Sequence, residues 1–183
     1  MKSLTFITGN AEKARQLGKY LSFDVSHAKL DIPEIQSLDL EEVATEKAKA
    51  AYVILRTPVL IEDTSLTFKA LNKLPGTLIR WFFESIGNEG LSKLLDGYVN
   101  RDATAETCFA LCDETGVHLF RNFIQGTVAD EPRGESGYGW NPVFIPQGCS
   151  ETYVEMSPDE QSKHSMRRLA VENLQVYLEA NYK

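Results

Sequence analysis

Residues 40–61 limit the possible folds of this 183-residue chain more strongly than any other segment. Leucine, valine and alanine recur every three or four positions over 40–55, which is the spacing of one face of a helix. Residues 58–61 then form an apolar run bounded by proline, which predicts a buried strand that ends at the acidic pair Glu62 and Asp63. This succession of helix and strand patterns favours an α/β protein.

The rest of the chain continues the mixed pattern. Strands are predicted at 4–7, 24–28, 103–111, 117–126 and 140–145, and helices at 11–21, at 77–86 and from 157 to about 180. Turns are expected at 74–76 and 113–116. These elements predict an elongated mixed sheet with flanking helices, either as one domain over 1–183 or as two small lobes around a shared cleft.

Charge and composition exclude several classes of protein. The 19 basic and 26 acidic side chains give a net charge of −7 without any basic run, which argues against sequence-independent binding of nucleic acid. No apolar stretch approaches the length of a membrane span, and the first apolar run is too short for a signal peptide. Three sparse cysteines (Cys108, Cys112 and Cys149) favour reduced thiols and a cytoplasmic location.

The segment 8–13 lies between a predicted strand and a predicted helix. Free N–H groups at a helix N-terminus attract phosphate, Gly9 allows close approach of the backbone, and Asn10 is a good N-cap. Lys13 follows within one helical turn, where its ammonium group can reach an anion. A plain strand–helix turn with a solvated lysine fits the same residues.

Four charged side chains are candidates for chemistry on phosphate. Lys47 falls on the apolar stripe of its helix, so its ammonium group either reaches the rim or points into a cleft. Glu62 and Asp63 follow a buried strand, and Glu34 lies in a proline-stiffened loop. Carboxylates in such places bind hard metal ions or activate water, although for any one of them an ordinary surface acid is the simpler explanation.

The loop around Tyr138 and Trp140 holds two aromatic rings between glycine and proline. Rings on a constrained loop suit stacking against a nucleobase, and a packed turn with a core tryptophan is the alternative. Arg167, early in the last predicted helix, is placed either to bind a carbonyl of a base or to be solvated.

Taken in order, these motifs resemble the inosine triphosphate pyrophosphatase family, the Ham1-like enzymes that act on non-standard purine nucleotides. The carriers are Thr8-Gly9-Asn10-x-x-Lys13, Glu34 within Ile-Pro-Glu-Ile-Gln, Lys47, Glu62-Asp63-Thr64-Ser65-Leu66, Leu74-Pro75-Gly76 followed by Ile79-Arg80-Trp81-Phe82, Gly139-Trp140-x-Pro142-x-Phe144, and Thr152-Tyr153-x-Glu155-Met156. The resemblance implies an α/β fold with two lobes around a central cleft and, usually, a homodimer. It also implies Mg²⁺-dependent hydrolysis of a nucleoside triphosphate such as ITP, dITP or XTP to the monophosphate and pyrophosphate.

The resemblance also assigns roles. Asp63 and Lys13 would be catalytic, and Glu34 and Asp63 would hold Mg²⁺. Residues expected to contact the substrate are Thr8, Gly9, Asn10, Lys13, Lys47, Thr64, Arg80, Tyr138, Gly139, Trp140, Asn141, Gln161, Met166 and Arg167. Tyr138 would stack on the base, and Arg80 stands where the family often has a lysine. These few cations and a metal ion would allow a chain of net charge −7 to bind one small polyanion.

Three positions depart from the family pattern at the end that reads the base. Asn141 replaces an aspartate, Met166 replaces a histidine, and Gln161 replaces a lysine. On one continuous helix, Lys163 and His164 lie on the wrong face to compensate. We therefore expect an active pyrophosphatase with a shifted or relaxed base preference.

Three alternatives remain at this stage. In the first, ordered water or Arg167 alone is enough to recognise the base, and the preference for ITP and XTP is kept. In the second, the chain is a nucleotide-binding module without turnover. In the third, it is a phosphatase that removes single phosphates.

Overall fold

The computed structural model describes residues 4–9, 11–21, 23, 25–135 and 139–182. In chain order the elements are β1 (Leu4–Ile7), α1 (Ala11–Tyr20), β2 (Val25–Ala28), α2 (Leu40–Leu55), β3 (Val59–Phe68), β4 (Pro75–Gly76), α3 (Ile79–Lys93), β5 (Asp102–Asp113), β6 (Gly116–Val128), β7 (Phe144–Pro146), α4 (Pro158–Lys163) and α5 (Met166–Asn181). The predicted α/β class is confirmed. None of the helices in these ranges is long and apolar enough to cross a bilayer.

One mixed sheet contains all seven strands of the described ranges. Its order is β2-β1-β3-β5-β6-β7, and β4 pairs separately with β3. Strand β1 runs parallel to both neighbours, with Phe6 opposite Leu60 of β3, whereas β7 is antiparallel to β6. Only two residues join β5 to β6, which is the connection of an antiparallel hairpin.

The chain divides into two compact units. Unit 1 comprises residues 1–63, 107–122 and 167–183, and unit 2 comprises 64–106 and 123–166. Unit 1 has two apolar cores, one formed with α1 and α5 and the other with α2. Unit 2 has one core, built around Phe68, Leu91 and Phe144.

Helix α2 forms as its sequence predicts. Asp39 caps its first turn by accepting hydrogen bonds from the backbone N–H groups of Glu41 and Glu42. The predicted stripe is buried, and the helix ends where Arg56 adopts a left-handed conformation with φ of 56°. The buried stripe therefore determines which side of α2 faces β3, and Lys47 lies on that side.

Three sequence-based boundaries are wrong. Strand β3 continues to Phe68, and Ser65, Leu66 and Phe68 of this extension are all buried. The acidic pair therefore lies inside the strand and not at its end. Helix α3 starts later than predicted and extends to Lys93, through a kink at Gly87 with φ of 65°. The predicted strand over 140–145 begins only at Phe144, because a short 3₁₀ turn occupies 141–143.

The helix predicted to run from 157 to about 180 is in fact two helices. Ser157 caps α4 as expected, but His164 leaves the helical conformation and α5 starts at Met166. No residue of α4 is buried, whereas α5 buries Ala170, Val171, Leu174 and Leu178 in the first core of unit 1. The two segments thus pack in different units. The expectation that Lys163 and His164 lie on the wrong face of a helix shared with Met166 is wrong, because no continuous helix joins them.

Candidate functional site

The alternation of β3 separates the two acidic side chains of the pair. Leu60 packs in the core with α1 and α5, and Ile61 packs in the core with α2. Because successive strand residues point to opposite faces, Glu62 points to the same face as Leu60, and Asp63 points to the same face as Ile61. The strand therefore presents one carboxylate to each helical layer of unit 1.

Lys47, on α2, bridges two carboxylates. Its Nζ donates hydrogen bonds to Asp63 Oδ1 at 2.7 Å and to Glu34 Oε2 at 2.5 Å. The side chains of Lys47 and Asp63 are 19% and 16% exposed, whereas that of Glu34 is 45% exposed. The lysine on the apolar stripe thus ends at an acidic site, and the structure brings together three residues that the sequence singled out.

The electrostatics of this cluster shift the pKa values of both Lys47 and Asp63 upwards. Burial alone would lower the pKa of Lys47, but Asp63 and Glu34 outweigh it and raise that pKa, so the lysine stays charged. Burial, assisted by the nearby charge of Glu34, raises the pKa of Asp63 overall, although Lys47 and Lys13 lower it. Asp63 Oδ2 is buried and has no hydrogen-bond partner among the described residues. A buried carboxylate oxygen without a partner is suited to a ligand, a water molecule or a proton.

Glu62 forms a second ionic cluster on the other face of β3. Its side chain is 2% exposed, and its Oε1 and Oε2 lie 2.8 Å and 2.9 Å from Nε and Nη2 of Arg167. Lys13 Nζ lies 3.6 Å from Oε2, and Arg167 Nη2 also donates to the backbone carbonyl of Lys13 at 3.0 Å. Arg167, predicted to read a base, is thus held at the first turn of α1.

The predicted phosphate-binding loop follows β1. The backbone N–H of Thr8 donates to the carbonyl of Ala28, which continues the pairing of β1 with β2 past its last residue. Gly9 is exposed beside the methylene chain of Lys29, and Asn10 lies outside the described residues. Lys13, in the first turn of α1, contacts Glu62 of β3 and Arg167 of α5.

The aromatic loop belongs to unit 2. Gly139 has a left-handed φ of 58°, and its carbonyl accepts a hydrogen bond from Asn88 Nδ2 at 3.0 Å. The rings of Trp140 and Phe144 pack in an edge-to-face arrangement with 5.6 Å between centroids, so the tryptophan contacts the core of unit 2. Tyr138, the predicted stacking residue, lies outside the described residues.

The remaining predicted base-binding residues have structural partners in unit 2. Gln161 Nε2 donates to the backbone carbonyls of Tyr153 and Met156, at 2.9 Å and 3.2 Å. Met166 packs against the unit 2 core, and Asn141 begins the 3₁₀ turn.

Two further predicted contact residues lie near the start of unit 2. Arg80 is exposed on α3, where its Nε pairs with Glu84 at 2.8 Å. Thr64 is half-buried within β3.

The motif at 152–156 stabilises the chain that leads into the aromatic loop. Glu155 Oε2 accepts from the backbone N–H of Thr152 at 2.7 Å and lies 3.6 Å from Arg133 Nε. Arg133 in turn donates its backbone N–H to the carbonyl of Pro142 at 2.9 Å. These contacts give the motif a structural explanation that requires no ligand.

The acidic residues provide a partial metal site. Within the described ranges no three His, Cys, Asp or Glu side chains are grouped to hold a metal ion. Mg²⁺ is commonly bound by one or two carboxylates together with substrate phosphates and water. Asp63 and Glu34, joined through Lys47, supply two carboxylates, and the unpartnered Asp63 Oδ2 is a ready ligand, so these residues fit such an ion.

Two residues of interest were absent from the set predicted to contact the substrate. Glu62 is half of the predicted acidic pair. A further signal for its role is that a charged residue lies within a run of buried strand positions. Asn88 carries no sequence signal, because its contact with Gly139 spans 51 residues.

Comparison with known proteins identifies relatives along almost the whole chain. The profile of the Ham1 family matches residues 4–177. An inosine triphosphate pyrophosphatase of Yarrowia lipolytica is 45% identical over 181 residues, covering 96% of this chain and 95% of the relative. A dITP/XTP pyrophosphatase of Methanopyrus kandleri is 39% identical over 180 residues, covering 96% of each chain.

A solved structure agrees with this relationship. The Ham1 protein of Staphylococcus aureus superposes with a TM-score of 0.85 at 26% identity, over 98% of this chain and 99% of that one.

Proposed function

The chain belongs to the Ham1 family, and from that premise we propose that it hydrolyses non-standard purine nucleoside triphosphates to the monophosphate and pyrophosphate. The observation that carries this proposal is the bridge from Lys47 to Asp63 and Glu34. The charge of Lys13 also acts on Asp63 and partly offsets the rise in its pKa. Two acids and two lysines in unit 1 match what the hydrolysis of a phosphoanhydride requires. We infer that deaminated purine triphosphates, ITP, dITP and XTP, are the substrates.

The chemistry that we propose begins with water at Asp63. The carboxylate of Asp63 accepts a hydrogen bond from the attacking water and takes up its proton through the oxygen that does not hold the metal ion, a role that suits a carboxylate whose pKa is raised by burial. Attack at the α-phosphorus breaks the bond to the β-phosphate oxygen and leaves pyrophosphate. Lys13 and Lys47 then stabilise the negative charge that develops on the departing group.

We propose Mg²⁺ as the metal ion, held by Asp63 and Glu34. When bound, it would neutralise charge on the phosphate oxygens, which is the usual contribution of a divalent cation to phosphoryl chemistry. The ammonium group of Lys47 donates hydrogen bonds to both carboxylates in the structure, so it is the counter-ion of this site before the substrate binds.

The base preference that we propose is relaxed. Gln161 uses its amide N–H groups on two backbone carbonyls, and Met166 has no polar group that can bind a base oxygen. A purine carbonyl that finds fewer donors is recognised with less discrimination. Stacking at Tyr138 and Trp140 would then contribute more to binding, since stacking tolerates any base.

A panel of nucleotides tests both parts of the proposal. Pyrophosphate release would be measured on ITP, XTP, dITP, ATP and GTP with Mg²⁺, for the unmodified chain, Asp63→Asn and the exposed control Asp96→Asn. We expect release to disappear in Asp63→Asn and to persist in Asp96→Asn. Rates on ITP and XTP far above those on ATP and GTP would contradict the relaxed preference, and the absence of turnover on every nucleotide would favour a binding module.

We further propose a cytoplasmic homodimer. The dimer rests on the family resemblance alone, and light scattering on the purified protein would test it. The location rests on the three free cysteines, which suit a reducing compartment.

A further inference from the structure

Glu62 is the point at which three elements of unit 1 meet. It lies on β3, and its carboxylate contacts Lys13 of α1 and Arg167 of α5. The carboxylate is 2% exposed, whereas Lys13 and Arg167 are 21% and 15% exposed. A buried charge of this kind is tolerated only when opposite charges compensate it, and here two cations do so.

Lys13 is held by one contact to its side chain and by another to its backbone. Glu62 Oε2 lies 3.6 Å from the ammonium group, and Arg167 Nη2 binds both that same oxygen and the backbone carbonyl of Lys13. The planar guanidinium thus sets the position of the Lys13 backbone, while the carboxylate sets the direction of its side chain. Without Glu62, two cations would face each other at the start of α1.

We propose that Glu62 is a positioning residue for phosphate binding, acting through Lys13, and that Arg167 supports this end of the site from α5. This inference rests on the proposed function, because Lys13 is assigned there to the phosphates. It makes the affinity for the triphosphate depend on a carboxylate that does not touch it.

The sign of the effect distinguishes positioning from simple electrostatics. Glu62→Gln removes one negative charge near a site for an anion, so charge alone predicts tighter binding of phosphate. Loss of positioning predicts weaker binding instead. Glu41→Gln is the matched control, because Glu41 pairs with Arg121 at 2.7 Å on the surface and its loss changes the net charge by the same amount.

The experiment measures the affinity of the folded protein for inorganic tripolyphosphate by calorimetry, with melting curves for each variant. We expect Glu62→Gln to weaken binding about tenfold, which corresponds to about 1.4 kcal/mol, and Glu41→Gln to leave it within about twofold. Glu62→Asp keeps the charge but is one methylene shorter, so its affinity should fall between the two. If Glu62→Gln does not fold, Glu62→Asp carries the test alone, and unchanged affinity in it overturns the proposal.

A double variant tests whether Lys13 transmits the effect. Adding Glu62→Gln to Lys13→Met should weaken tripolyphosphate binding no further, because the group being positioned is already gone. Equal weakening in both backgrounds would overturn the proposal, as would unchanged or tighter binding by the folded Glu62→Gln variant.

These measurements do not require turnover. A protein that binds tripolyphosphate in this Glu62-dependent way but releases no pyrophosphate would refute the proposed function and leave the positioning role standing. A protein that does not bind tripolyphosphate at all would overturn the positioning role.

Discussion

Replacing Lys47 by methionine removes the only side chain seen to bridge Asp63 and Glu34 within the described residues, while keeping a similar length. The Lys47–Asp63 pair is mostly buried, so its loss costs more than the 0–1 kcal/mol or so of a surface pair and less than the roughly 3–5 kcal/mol of a fully buried one. Glu34 is nearly half exposed and adds little. We therefore expect a loss of about 2–3 kcal/mol, or a melting temperature lower by about 4–12 °C for a chain of this size.

Magnesium should partly reverse that loss. Without Lys47, two carboxylates lose their shared counter-ion, so a divalent cation should bind them more tightly than in the unmodified chain. At ten times its dissociation constant, a ligand stabilises the folded state by about 1.4 kcal/mol. Melting curves with and without Mg²⁺ measure this difference directly.

Lys49→Met is the matched control for this experiment. Lys49 lies on the same helix and pairs with Glu46 at 2.7 Å, but both side chains are about half exposed. Its loss should change stability by no more than about 0.5 kcal/mol. The reasoning is refuted if Lys47→Met melts together with Lys49→Met, or if Mg²⁺ raises both melting temperatures equally.

Two further predictions concern the C-terminus and the aromatic loop. Tyr182 is buried and donates to Asp113 at 2.6 Å, so Tyr182→Phe should lose about 1.5–3 kcal/mol in denaturant titrations. Burial would raise the pKa of Asp113, but hydrogen bonds from Thr115 and Tyr182 lower that pKa overall. The stability that this group contributes is therefore present above about pH 4 and is lost as the pH falls further. Tyr182→Phe removes one of these hydrogen bonds and should weaken the loss of stability in acid. Burial and Asp113 raise the pKa of Tyr182, so the unmodified chain should also lose stability as the pH rises above about 10, and an equal alkaline loss in Tyr182→Phe would contradict this. Asn88→Ala removes the hydrogen bond to Gly139 and should raise KM for nucleotides while leaving tripolyphosphate affinity unchanged; an equal loss of both would contradict a role confined to the aromatic loop.

Much of the fold was predictable because local signals define most elements. The apolar stripe and the Asp39 cap fix α2, and β1 ends at its predicted residue, since their determinants lie within a few positions of each other. The end of β3 and the break at His164 were not predictable. Both depend on which core the following residues join, and that is a property of distant parts of the chain.

The candidate site shows the same division. The spacing of the motifs selected Lys13, Lys47 and Asp63, and the family assignment is confirmed by relatives along almost the whole chain. The sequence did not show that Lys47 would bridge two acids, because its partners lie 13 and 16 residues away in other elements. The contact between Glu62 and Arg167 spans 105 residues and depends on the packing of α5 on β3.

The position of bond cleavage tests the central claim most directly. ITP would be hydrolysed in water labelled with heavy oxygen, and the products would be weighed by mass spectrometry. Attack on the α-phosphorus predicts the label in inosine monophosphate and unlabelled pyrophosphate. Label in pyrophosphate, or inosine diphosphate with labelled orthophosphate, would contradict the account.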